Sequence, residues 1–372
     1  MSDIEVDFHH DPNDIEHMQF DIRYRSSSIN SSSGQTLPKI KILGTGGTIA
    51  SKGTSAHQTA GYKVDLTIEE MVQSIPDLGS TCELSYEQIL NVDSKEIGAK
   101  ELQVIYNAVV DNIEEYDGLV ITHGTDTMEE TAFFLQFTIK TSKPVVMCGS
   151  MRPSTAISSD GPMNLYQAVV IASHPESRDR GILVAFNDRV ISGYFLKKSN
   201  ANSLDTFNAI GQGYLGNFVN NQIYYYFPPS KPMGVSYLPI PPGFDFQFPE
   251  VTVLFGHQGF NDDLLPLLFD SIKIKGLVLA TMGAGSMKDT TNKVVFELSN
   301  KFKVPVIYSK RSMDGMVTVG SLPKFEGSPC NNLIASGSLS PQKSRILLQL
   351  CLINNFSVDT IKSYFKKVYG GS

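Results

Sequence analysis

The spacing of apolar positions changes back and forth along the chain, and the change predicts alternating strands and helices. Short, nearly continuous apolar runs are typical of buried strands; they cover residues 40–43, 117–122, 143–149 and 181–186. Apolar residues three and four apart predict helices between them, at residues 68–75, 100–113, 128–140 and 161–173. This alternation favours a mainly parallel sheet covered by helices. A hairpin that carries Lys197 and Lys198 is expected at residues 187–198.

The same alternation recurs in the second half of the chain. Strands are predicted at residues 251–255, 276–281 and 304–309, and helices at residues 262–274, 287–302, 341–353 and 358–368. Seven prolines crowd the intervening segment, and proline lacks the N–H that regular structure needs. The predicted fold class is therefore α/β, with a larger N-terminal domain at residues 38–227, a Pro-rich linker at residues 228–249 and a smaller C-terminal domain with a parallel sheet at residues 250–372.

Residues 1–37 differ from the rest in composition. Seven acidic and two basic side chains lie there, which accounts for −5 of the net charge of −7. A serine-rich run follows the acidic positions, so we expect a disordered or loosely ordered N-terminal extension. The remaining chain is nearly neutral, which argues against a nucleic-acid partner because phosphate backbones attract clustered basic residues.

Composition also bears on metals and location. The four cysteines form no CxxC pair and have no histidine cluster beside them, so neither a disulfide scaffold nor a metal site is expected. The first residues are acidic and polar rather than basic and then apolar, and no apolar run approaches the ~18 residues of a membrane span. We therefore expect a cytoplasmic protein without a membrane partner.

Two glycine–threonine turns are the candidates for chemistry. Gly44-Thr-Gly-Gly-Thr48 follows the first strand, and Thr122-His-Gly-Thr-Asp-Thr127 follows the second predicted strand and opens a helix. Turns at the carboxyl ends of strands in an open α/β sheet are where such folds bind ligands. The first turn lacks the third glycine of a dinucleotide fingerprint and the lysine of a P-loop. Taken alone, the first turn is weak evidence, and a tight structural turn with a buried threonine is the slightly favoured interpretation.

Two turns at two strand ends of one sheet can face each other, so that one hydroxyl acts as nucleophile and the other takes part in proton transfer. A threonine hydroxyl needs a nearby base or charge, and Tyr62 or Lys198 could supply it. Other interpretations stay open at this point. Asp126 could be an ordinary helix N-cap, Lys198 a surface lysine and His123 a structural hydrogen-bonding residue.

Together the two turns resemble the two signature motifs of bacterial-type L-asparaginases, and the chain looks like a cytosolic fungal member. Several further stretches agree with that family: residues 143–147, 149–154, 159–165 and 337–345. The resemblance implies hydrolysis of the side-chain amide of L-asparagine to L-aspartate and ammonia, without a metal or a cofactor. It also implies a homotetramer, built as a dimer of dimers, with sites at the tight-dimer interface.

The resemblance assigns roles residue by residue. The catalytic set comprises four residues. Thr48 is the nucleophile, and Tyr62 is the lid tyrosine that assists it. Thr125 is the second threonine, and Lys198 is the lysine paired with it. The substrate-binding set comprises Ser94 for the α-carboxylate, Asp126 for the α-ammonium group, Glu326 from a neighbouring subunit, and Asp93. Residues 51–61 would form a mobile lid that brings Tyr62 to the site.

Alternatives to a strict asparaginase remain. The same scheme fits a mixed glutaminase–asparaginase or an amidase subunit that acts on a tRNA-linked amide, although the nearly neutral body disfavours a tRNA substrate. A non-catalytic amino-acid-binding protein on the same fold is a further possibility, since fold does not fix function. The joint presence of Thr48, Thr125 and Lys198 favours an enzyme, because a binding protein needs none of the three.

Overall fold

The structure, a computed structural model, describes residues 36–59, 61, 63–78, 81–325 and 332–371. The chain from residue 37 onward forms one compact unit. The predicted N-terminal extension lies outside the described residues, apart from its last positions. None of the described helices is both long and apolar enough to span a membrane.

The first half of the described chain alternates strands and helices. Its elements are β1 (Lys39–Gly46), β2 (Ser51–Lys52), β3 (Lys63–Val64), α1 (Ile68–Gln73), β4 (Glu83–Val92), α2 (Ala99–Asn112), β5 (Gly118–Thr122), α3 (Met128–Thr138), β6 (Val145–Cys148), α4 (Gly161–Ser173), β7 (Ile182–Phe186), β8 (Arg189–Ser192), β9 (Lys197–Lys198), β10 (Phe207–Asn208), β11 (Gly216–Val219) and β12 (Gln222–Tyr225).

Within the described residues, eight of these strands form one sheet in the order β12-β11-β8-β7-β6-β5-β1-β4. In this spatial order, the neighbouring pairs β4-β1, β1-β5, β5-β6 and β6-β7 are parallel. The pairs β7-β8, β8-β11 and β11-β12 are antiparallel. The prediction of a mainly parallel sheet is confirmed. The central strands read as continuous apolar runs because helices cover both faces.

The side-chain alternation of the strands divides the core between the two faces of this sheet. On β5, Leu119 and Ile121 belong to the apolar cluster that includes α2 and α3, whereas Val120 belongs to the cluster that includes α1 and α4. β6 divides in the same way, with Val146 on the second face. Successive residues of a strand point to opposite faces, so one apolar run supplies two cores.

The second half contains β13 (Val251–Phe255), α5 (Leu264–Pro266), β14 (Gly276–Thr281), α6 (Asp289–Phe302), β15 (Val306–Lys310), β16 (Leu333–Ala335), α7 (Pro341–Ile353) and α8 (Val358–Lys367). Its strands form a separate four-stranded sheet, in which all neighbours are parallel. The α/β class and the second parallel sheet are therefore confirmed.

The Pro-rich segment at residues 228–249 contains no helix or strand among its described residues. It nevertheless packs closely, because Leu238 and Phe246 are buried in the same apolar cluster as Val278 and Ile307 of the second sheet. The same cluster reaches the first sheet, so one continuous core joins the two halves. The exact domain boundaries stay a prediction.

Two local predictions are wrong. Residues 187–198 do not form a hairpin with each other. The turn Asn187–Asp188 has positive φ at both positions and joins β7 to β8, while β9 pairs with β10. The predicted helix at residues 262–274 consists of the short α5 followed by a π-helical turn, Leu267–Ile272. Pro266 lacks the N–H that a continuous α-helix would use.

Candidate active site

Three neighbouring strands deliver the candidate residues to one edge of the large sheet. β1 lies between β4 and β5 and runs parallel to both. Gly44 of β1 is opposite Thr122 of β5, and Gly46 is opposite Val92 of β4. Because parallel strands have their carboxyl ends at the same edge, the segments that follow all three strands meet there.

The two glycine–threonine turns touch through their glycines. Gly47 has φ of +83°, and a Cβ built on it would lie 2.5 Å from both the Cα and the N atom of Gly124. Its N–H donates to the carbonyl of Val92 at 2.9 Å. The half-buried Thr48 then begins the 3-10 turn Thr48–Ala50. Only glycine allows this approach, so Thr48 is placed beside the second turn.

The second turn carries a lysine–threonine–aspartate cluster. Lys198 Nζ donates to Thr125 Oγ1 at 2.9 Å and to Asp126 Oδ1 at 2.5 Å. Thr125 is 6% exposed, whereas the Asp126 side chain is 60% exposed. The threonine hydroxyl is thus held by a cation inside the protein, while the aspartate presents a carboxylate to the outside.

Ser94 ties the end of β4 to the second turn. Its Oγ accepts the N–H of Asp126 at 3.1 Å, and its carbonyl accepts Thr127 Oγ1 at 2.9 Å. A Cβ on Gly124 would lie only 2.6 Å from Ser94 Oγ. Ser94 is buried and begins the 3-10 turn Ser94–Glu96. The serine therefore contacts the backbone on which Thr125 and Asp126 depend.

Asp93, the residue before Ser94, lies at the N-terminus of the same 3-10 turn. Its Oδ1 accepts the N–H of Lys95 at 3.4 Å, and its Oδ2 lies 3.6 Å from the ammonium of Lys95. Both side chains are substantially exposed. Asp93 thus caps the turn that fixes Ser94.

His123 is completely buried within the second turn. Its Nδ1–H donates to the carbonyl of Gly124 at 2.6 Å, and its Nε2 accepts the hydroxyl of Thr131 at 3.0 Å. Burial lowers the pKa of His123 to about 4, so the imidazole is neutral at neutral pH. These contacts match the structural interpretation made from the sequence.

Comparisons with known proteins agree with this geometry. Residues 39–231 match the family model for the N-terminal domain of asparaginase, and residues 250–365 match the glutaminase/asparaginase C-terminal domain. The chain belongs to the asparaginase family. The family resemblance read from the two turns is thereby confirmed.

Individual relatives cover nearly the whole chain. L-asparaginase 2-1 of Saccharomyces cerevisiae is 46% identical over 92% of this chain and 94% of its own length. L-asparaginase 2 of Bacillus subtilis is 39% identical over 92% of this chain and 89% of its own. A crystal structure described as a probable cytoplasmic L-asparaginase from Campylobacter jejuni has a TM-score of 0.81 and 35% identity, covering 89% of this chain and 99% of that chain.

Two residues that the family resemblance assigns to the site, Tyr62 and Glu326, lie outside the described residues. The described part of the predicted lid is attached to a neighbouring loop. Gly53 N–H donates to Thr155 Oγ1 at 2.8 Å, and the carbonyl of Ala56 accepts the N–H of Ile157 at 2.9 Å. Closure of this segment over the site stays a prediction.

Sequence reasoning missed one residue of the site, Glu129. Its carboxylate is buried and contacts both lysines of β9. The available signal was its position in the first turn of α3, four residues after Thr125, within the stretch that resembles the second family motif. Across the described residues, no group of three or more His, Cys, Asp or Glu side chains could hold a metal ion.

Proposed function

We propose that this protein hydrolyses L-asparagine to L-aspartate and ammonia through a covalent threonine intermediate, with Thr48 as the nucleophile. The observation that carries the proposal is the hydrogen bond from Lys198 Nζ to Thr125 Oγ1, located in the turn that touches the turn of Thr48. A buried threonine held by a cation is an arrangement suited to proton transfer. The asparaginase names of the relatives supply the substrate.

Substrate binding follows from the charges of asparagine, a zwitterion with a neutral amide. The exposed carboxylate of Asp126 attracts the α-ammonium group. Ser94 and the backbone N–H groups near Asp93 serve the α-carboxylate. Held at both charged groups, the amide carbon would lie against Thr48, and such orientation supplies a large share of rate enhancement.

The reaction then proceeds in two steps. Thr48 Oγ1 attacks the amide carbon, its proton passes to the leaving nitrogen, the carbon–nitrogen bond breaks and ammonia departs. Backbone N–H groups of the glycine turns stabilise the oxyanion. Water next attacks the β-aspartyl ester, returns a proton to Thr48 Oγ1 and releases L-aspartate. Tyr62 and the Lys198–Thr125 pair move the protons.

A mixed glutaminase–asparaginase is the second candidate, because the matched C-terminal family model is named for both activities. The proposal further includes a cytoplasmic location, as named for the Campylobacter jejuni relative. It also includes a homotetramer with Glu326 reaching a neighbouring site. A non-catalytic binding protein is disfavoured by the Lys198–Thr125 bond, which binding alone would not require.

The experiment that tests the function is ammonia release from L-asparagine and from L-glutamine by the purified full chain. We expect rapid release from L-asparagine and slower release from L-glutamine. Equal rates would favour the mixed activity. Absence of release from both amides, by a protein that still unfolds cooperatively, would refute the amidohydrolase.

The choice of nucleophile is tested by three variants. Thr48→Ala should lower kcat on the order of 10⁴-fold because the attacking oxygen is lost. Thr48→Ser, the matched control, should keep most activity. Thr125→Ala should lower kcat by roughly 10³-fold, since it removes a proton-transfer partner. After mixing with L-asparagine and rapid quenching, mass spectrometry should find the β-aspartyl ester on Thr48; an ester on Thr125 would reverse the assignment.

A further inference from the structure

The strand that carries Lys198 is very short. β9 consists of Lys197 and Lys198 only, and it pairs with just two residues of β10. Two residues of pairing supply little rigidity, because isolated short strand pairs are marginal in water. The place of the Lys198 ammonium therefore depends on side chains that hold β9.

Glu129 holds β9 with both oxygens of its carboxylate. Oε2 accepts the backbone N–H of Lys198 at 2.6 Å, and Oε1 accepts Lys197 Nζ at 2.7 Å. Glu129 is 4% exposed, so these bonds are shielded from water. Hydrogen bonds to a carboxylate are stronger than those between neutral groups, and a buried carboxylate requires such partners.

The threonine and the carboxylate lie close together in the sequence. Thr125 precedes α3 by three residues, and Glu129 lies in the first turn of α3, a helix that is buried along nearly its whole length. Lys198 bridges the two residues: its backbone N–H donates to the Glu129 carboxylate, and its ammonium donates to the Thr125 hydroxyl. The separation of Nζ and Oγ1 is thus set within one rigid piece of the molecule.

A buried lysine fixes the chain just before β9. Lys343 of α7 is 5% exposed, and its Nζ donates to the carbonyls of Tyr194 and Leu196, each at 2.6 Å. The segment that leads to Lys198 is therefore held on both sides, by Lys343 from the C-terminal half and by Glu129 from α3.

We propose that Glu129 is a positioning residue. By accepting the backbone N–H of Lys198 in β9, it keeps the ammonium of Lys198 within hydrogen-bonding distance of Thr125. The inference rests on the proposed amidohydrolase function. Glu129 does not contact substrate in this scheme, so its removal should slow the chemistry and leave substrate binding by Asp126 and Ser94 nearly intact.

The test uses the full chain with three substitutions. Glu129→Ala removes both bonds and should lower kcat for L-asparagine by roughly 100-fold, with KM changed by less than about threefold. Glu129→Gln keeps a carbonyl that can accept the Lys198 N–H and should lose only roughly tenfold. Glu130→Gln is the control: among the described residues its carboxylate accepts no hydrogen bond from β9 and lies 4.0 Å from Arg345, so kcat should stay within about twofold of wild type.

Two further measurements separate positioning from a general structural role. Calorimetric affinity for the product L-aspartate should be kept within about threefold in Glu129→Ala, whereas a collapsed site would lose it. If the Glu129→Ala protein does not fold, the Glu129→Gln protein distinguishes the two roles. For a positioning role, the Tm of Glu129→Gln should stay near that of wild type while its kcat falls.

The outcomes are distinct from those of the function itself. Wild-type activity together with unchanged kcat in Glu129→Ala or in Glu129→Gln would overturn the positioning role alone. A parallel loss of L-aspartate affinity and kcat in the folded Glu129→Gln protein would also overturn it. An inactive wild-type protein would instead refute the proposed amidohydrolase.

Discussion

The two glycine–threonine turns are alike in sequence and differ in how the fold holds them. The turn of Thr48 is held by neutral groups: the N–H of Gly47 on Val92, the contact with Gly124, and the Ser51 hydroxyl, which donates to the Gly47 carbonyl at 3.0 Å. The turn of Thr125 is held by a charged side chain, Lys198. Thr48 is half-buried, whereas Thr125 is 6% exposed.

This difference suits the two proposed roles. The proposed nucleophile must meet the substrate, and the half-buried Thr48 lies at the sheet edge beside the second turn. A proton-transfer partner must keep one hydrogen bond in a dry environment, where electrostatic interactions are stronger. The same strand–glycine–threonine pattern could thus serve both proposed roles, according to what packs around it.

The largest effect is expected from breaking the contact between the turns. Gly47→Ala would place a Cβ 2.5 Å from the backbone of Gly124, at φ of +83°. We expect a loss of about 4 kcal/mol in unfolding free energy, from backbone strain and overpacking together, and loss of ammonia release.

Gly213→Ala is the control for strain alone. Gly213 has φ of +79° and nothing within 4 Å of a built Cβ, so the expected loss is about 1 kcal/mol with normal activity. Urea unfolding of both variants measures the difference. Equal losses would show that contact with Gly124 contributes nothing.

The second turn should be sensitive to acid because of His123. The folded-state pKa of His123 is about 4, below the usual value near 6.5, so the unfolded chain takes up a proton first. The stabilisation is fully present above about pH 6.5 and is lost as pH falls toward 4, by about 3 kcal/mol in total.

His123→Gln removes this titration while leaving the acidic residues in place. The difference in unfolding free energy between wild type and variant should therefore shrink as pH falls from 6.5 to 4 in urea titrations. A difference that stays constant over this range would show that folding does not lower the pKa of His123.

The smallest effect concerns the exposed member of the second turn. Asp126→Asn should raise KM for L-asparagine by roughly 30-fold, or about 2 kcal/mol, because the α-ammonium group loses a charged partner. Asp263→Asn changes an exposed aspartate in the C-terminal half and should leave steady-state kinetics unchanged. An unaltered KM in Asp126→Asn would contradict its assigned role.

Prediction from sequence succeeded best for elements with strong apolar patterns. The predicted helix at residues 161–173 and strand at residues 276–281 coincide with α4 and β14. β4 was missed, because among the described residues this strand pairs with β1 alone at the sheet edge, and most of its side chains are half-buried or exposed. An edge strand of this kind has no clear apolar period, although it delivers Ser94 to the site.

The sequence by itself determined the α/β class, the two turns and, through their motifs, the family. Those features depend on local spacing of apolar residues and glycines, which one chain segment contains in full. Only the tertiary structure decided that Gly47 contacts Gly124 and that the Glu129 carboxylate binds the backbone N–H of Lys198. These contacts join residues 77 and 69 positions apart, and their partners are chosen by strand order and packing, which local patterns do not specify.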